Sequence, residues 1–95
     1  MNLRKLRKTI ELIEEFRRRG GLKSDELESL AMELGRIKSN RGKEPTWVSS
    51  QFTNLRPLSI PNHSHDLNKF TARSILDQLE LDVEKWKEYL GSSET

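Results

Sequence analysis

His63, His65 and Asp66 stand within four positions of one another and include both histidines of the sequence. An imidazole with an unperturbed pKa of about 6.5 can accept or release a proton near neutral pH. His63, two residues after Pro61, therefore has three readings open to it: acid–base group, phosphate ligand, or hydrogen-bond partner of its own loop. A metal would need further ligands from a second cluster, and the His-x-His-Asp string has none elsewhere, so no metal is expected. The chain has no cysteine, which excludes disulfides, thiolate zinc sites and cysteine nucleophiles. It also lacks a glycine-rich phosphate loop, a serine elbow and a paired-acid constellation, and no cofactor is expected.

The cations offer a second kind of chemistry. The net charge of +2 decides little, but it is unevenly spread. Residues 1–21 carry +4, residues 22–45 balance, and residues 46–95 carry −2. Arg36, Lys38, Arg41 and Lys43 form a run with no acid between Glu33 and Glu44. Such a stripe suits a polyanion, because each neutralised phosphate releases counterions. A solvated surface with uneven charge is the plainer reading of the same residues.

These groups must be positioned by one small domain. Ninety-five residues, 33% apolar and 34% charged, suffice for a single modest core. Apolar runs are only a few residues long, far short of the roughly 20 that cross a bilayer. With no continuous apolar stretch near the N-terminus, a cytoplasmic location is expected.

Residues 2–19 read as a helix, with Leu3, Leu6, Ile10, Ile13 and Phe16 at steps of three and four and Gly20-Gly21 as the stop. This stripe is narrow enough to pack on its own chain, on a second copy as a homodimer seam, or on a partner. A second helix is predicted from Ser24-Asp25, Asp25 and Glu28 resembling a capping box, with Leu27, Leu30, Ala31 and Leu34 on one face and Gly35 ending it. The segments 36–39, 46–49 and 58–60 read as short strands, the last bracketed by Pro57 and Pro61. Asn68 or Thr71 then opens a helix bearing Ala72, Ile75, Leu76 and Leu79. Asp82 is expected to cap a further helix bearing Val83, Trp86, Tyr89 and Leu90, fraying at Gly91. The order α-α-β-β-β-α-α predicts an α+β fold, a small antiparallel three-stranded sheet with helices on one face. Trp47 and Trp86 are expected in the core.

From Leu34 to Leu90 the chain resembles the HicA family of bacterial toxins. Gly35 matches a helix-ending glycine and Arg41-Gly42 a basic-glycine turn. Ile60-Pro61-Asn62-His63 matches a strand end, with Leu67 after it. Thr71-Ala72-Arg73-Ser74-Ile75-Leu76 matches a helix start, and Asp82-Val83-Glu84-Lys85-Trp86 a terminal helix. The resemblance implies a fold like the double-stranded-RNA-binding domain, ribosome-independent cleavage of mRNA, and neutralisation by a HicB-like antitoxin. It divides the chain into an N-terminal helical extension (1–21), a HicA-like domain (22–91) and a polar tail (92–95). One departure is plain: Glu44 stands where the family carries the histidine assigned to catalysis. Glu44 and His63 are thus the candidate catalytic pair, although a reference pKa of about 4.3 makes Glu the weaker base. The candidate RNA contacts are Lys38, Arg41, Lys43, Lys69 and Arg73. Three functions remain open: an active endoribonuclease, an RNA-binding module that has lost cleavage, and a protein-interaction module built on helix 2–19.

Overall fold

The computed structural model describes residues 1–39, 45–62 and 65–93. Two helices lead the chain, α1 (Leu3–Arg19) and α2 (Ser24–Glu33). Strands β1 (Arg36–Ser39), β2 (Thr46–Ser49) and β3 (Leu58–Ser59) follow, and α3 (Lys69–Ser93) closes it. The strands form one antiparallel sheet in the order β1-β2-β3 with helices packed on one face, the α+β architecture the sequence predicts.

Asn2 opens α1 by accepting the Lys5 backbone N–H at 2.8 Å, satisfying a donor that the first turn would otherwise leave unpaired. Gly20 (φ 70°) and Gly21 (φ 58°) end it in the left-handed region that side chains avoid. The α1 stripe is spent inside the chain: Leu6, Ile13 and Phe16 are buried in the common core, chiefly against α3. In α2, Leu27, Leu30 and Ala31 are wholly buried, as is Leu34 just after it. Its start differs from the expected capping box. Lys23 is the residue before the helix, and its backbone N–H donates to Glu26 at 3.2 Å, so Glu26 rather than Asp25 and Glu28 supplies the closing contact.

The pairing Arg36↔Ser49 and Trp47↔Leu58 puts these four residues on the helix-covered face, where all are buried. Ile37 pairs with Val48 on the opposite face, and both are exposed. Because side chains alternate along a strand, one-residue steps separate core from surface in this short sheet.

The last two predicted helices are one. α3 runs without a break through Asp82, and it continues past Gly91 to Ser93. Nothing between Leu79 and Val83 breaks a helix, and Asp82 does not cap. Its carboxylate, 1% exposed, takes a fork of two hydrogen bonds from Arg36, Nε to Oδ2 at 2.7 Å and Nη2 to Oδ1 at 2.8 Å. Arg36 Nη1 also donates to the carbonyls of Trp47 (2.8 Å) and Arg56 (3.0 Å), so the buried guanidinium is well satisfied. Trp86 adds a second tie, donating from Nε1 to the Leu34 carbonyl at 2.8 Å while its ring packs edge-on against Phe52 and Tyr89. Gly35, at φ 90°, turns the chain beside that ring. Among the described residues no helix is long and apolar enough to cross a membrane.

Candidate nucleic-acid interface

The start of α3 carries two of the expected RNA-contact residues. Asn68 Oδ1 accepts the Phe70 backbone N–H at 2.8 Å and its carbonyl accepts that of Ala72 at 2.9 Å, which fixes the first turn. Lys69 and Arg73 sit four apart on that turn and the next, on neighbouring positions of one helix face, and both are exposed.

They border an open cleft of about 580 Å³ between the end of α1 and the start of α3. Its floor is apolar, made by Phe16, Leu22, Leu67, Ala72 and Leu76, and its remaining walls carry Arg17, Arg18, Lys69 and Arg73, with the Asp66 carboxylate close to Gly21 at its edge. Two features tie its walls together. The Leu67 backbone N–H donates to the Leu22 carbonyl at 2.7 Å, tying the entry of α3 to the exit of α1. Arg17 clamps the helices themselves, reaching Asp77 at 2.7 Å and Glu80 at 3.0 Å on α3. Burial works against the Arg17 charge, but hydrogen bonds to Glu80 and Asp77 outweigh it and raise its pKa above the ordinary arginine value. At the outer end, Arg19 hydrogen-bonds Glu26 of α2 and lies 5.2 Å over the Phe16 ring. That bond to Arg19 is the main reason the Glu26 carboxyl sits below its usual pKa.

Two of the four cleft cations, Lys69 and Arg73, are among the RNA contacts expected from the sequence, and Arg17 and Arg18 are not. Arg17 is consumed by its ion pairs. Arg18, Lys69 and Arg73 form no ion pair with another described residue, so they are the charge the cleft presents. The sequence signal for Arg18 was the triple arginine ending α1; its meaning depends on α1 packing beside α3, which no local pattern states.

Of the remaining expected residues, Lys38 is exposed on β1 opposite Trp47 in the register. Arg41, Lys43, Glu44 and His63 lie outside the described residues. Arg36, the first member of the basic run, belongs to the buried pair with Asp82 and offers nothing to a ligand. Trp47 is 4% exposed and Trp86 is 7% exposed, so neither indole is placed to stack on a base. His65 and Asp66 are exposed, and among the described residues no three metal-ligating side chains converge. Comparison with protein-family models, curated proteins and solved structures finds no match to this chain.

Proposed function

We propose that this protein binds RNA, and that it does so as a HicA-like toxin of a toxin–antitoxin pair. The observation that carries the reading is the trio Arg18, Lys69 and Arg73, exposed and unneutralised by other described residues along one cleft. Three exposed cations around one cleft suit a phosphate backbone, and Lys38 on β1 is a further exposed cation. The element order adds support. A three-stranded antiparallel sheet backed by helices is the general shape that the family resemblance implies. In this reading mRNA is the target, a HicB-like antitoxin is the partner, and the cytoplasm is where both are met.

Cleavage would fall to His63 and Glu44. Attack of the 2′-oxygen on phosphorus needs a base to take its proton, a cation near the developing charge, and a proton for the 5′-oxygen as its bond to phosphorus breaks. His63 or Glu44 suits the base, the conjugate acid returns the proton, and Arg41 or Lys43, beside Glu44 in sequence, supplies the charge. Glu44 in place of the family histidine favours a second reading, an RNA-binding protein that no longer cuts.

Incubating the purified chain with labelled mRNA separates the two. Specific cleavage lost in His63→Ala or Glu44→Gln, with binding kept, establishes the endoribonuclease. Binding that weakens with salt and leaves the RNA intact establishes the non-cleaving protein. An absence of RNA affinity at low salt refutes both.

A further inference from the structure

Phe70 is 75% exposed, more than any other large apolar side chain among the described residues. It stands in the first turn of α3, directly after Lys69 and three residues before Arg73. Residues three and four apart are neighbours on a helix surface, so Arg73 adjoins both Phe70 and Lys69. Asn68 holds this turn in place through the Phe70 backbone N–H, leaving the ring free of that task. No other ring packs on Phe70 among the described residues.

A bare phenyl ring with Arg73 as its neighbour on the helix surface, next to the rim of the cleft that Lys69 and Arg73 line, asks for a ligand having a flat face with an anion beside it. An unpaired nucleotide has both. Every base offers a π-face to an aromatic side chain, whatever its sequence, and its phosphates lie within reach of a neighbouring cation. A duplex shows its backbone but keeps base faces inside the stack, so it would engage the cations and leave the ring in water. An acidic peptide would do the same.

We infer that the first turn of α3 forms a site for an unpaired nucleotide of single-stranded RNA. The base stacks on Phe70, and the flanking phosphates are held by Arg73 beside the ring and by Lys69 one turn before Arg73. This rests on the RNA-binding reading above and names the form of RNA that the site takes.

Fluorescence anisotropy of the full chain with a labelled oligoadenylate, and with a duplex RNA of equal length, tests it. The single strand should bind more tightly than the duplex. Phe70→Ala and Phe70→Leu should each weaken it about tenfold, in line with the loss of one stacked base, and Phe70→Trp should retain it. Because Phe70 is so exposed, these variants should keep the wild-type circular dichroism and melting. Duplex binding should be indifferent to all three. If Phe70→Leu binds the single strand like wild type, or the duplex binds at least as tightly, the inference falls while RNA binding stands. If poly-glutamate binds as tightly as the oligonucleotide and depends equally on Phe70, the surface belongs to an acidic protein partner and the inference falls. If neither RNA binds at low salt, the inference and the reading beneath it fall together.

Discussion

Arg36 and Asp82 show how much one pair of residues decides here. Two charges taken out of water cost several kcal/mol each, and only near-ideal geometry with full hydrogen bonding offsets that. The pair has both: a two-bond fork, two carbonyl acceptors, and side-chain exposures of 2% and 1%. Removing one partner strands the other. Asp82→Ala should therefore cost about 3–5 kcal/mol, read as a lower urea midpoint with an unchanged m-value. The double substitution Arg36→Met, Asp82→Leu should recover most of the loss, since well-packed apolar side chains often replace such a pair without penalty. A loss under about 1 kcal/mol for Asp82→Ala would place the pair with ordinary surface ion pairs and refute its part in joining α3 to the sheet. The same pair corrects the charge reading. A run of four cations in sequence becomes at most three on the surface, because the first turns inward.

At the scale of elements, α1 changes most between sequence and structure. Its narrow stripe fits its own chain, a second copy or a partner, and the family resemblance, beginning only after it, implies an N-terminal extension. In the fold, Leu6, Ile13 and Phe16 are 2%, 2% and 6% exposed, and Arg17 bolts the helix to α3. Ile13→Ala should accordingly destabilise the whole protein by about 2–5 kcal/mol, as a large-to-small core change does. Thermal and urea unfolding would report it as one cooperative transition; a cost near zero would return α1 to the status of an extension. The stripes of α2 and α3 were legible because helical periodicity is local, and so were the glycine stops after α1 and α2. The supposed break at Asp82 was a fair local inference, since Asp favours helix starts. It failed because the residue that claims the carboxylate lies 46 positions away in sequence. The site divides along the same line: Lys69 and Arg73 were visible from spacing, whereas Arg18 became a partner of theirs only through the packing of α1 on α3.

The whole molecule is a flattened two-layer body, with Cα extents of 44 × 32 × 16 Å, a single layer of helices on a single small sheet. The cleft between α1 and α3 is open, so a ligand held there lies across the surface. The net charge of +2 is too low to hold a polyanion by general attraction. Affinity must come from where the cations are, and that makes it divisible by mutation. Each phosphate neutralised on a single strand contributes about −0.7 to the slope of log K against log salt. Lys69→Ala and Arg73→Ala should each make that slope shallower by about this amount, and Arg18→Ala should do the same from the opposite wall of the cleft. Lys5, which pairs with Glu33 at 3.4 Å, and Lys87, which pairs with Glu84 at 3.4 Å, serve as controls of equal charge. Their replacement by alanine should leave the slope unchanged. A titration of RNA affinity over a series of salt concentrations decides the matter. Equal effects from all five substitutions would mean that net charge governs binding, and the cleft between α1 and α3 would lose its claim to be the interface.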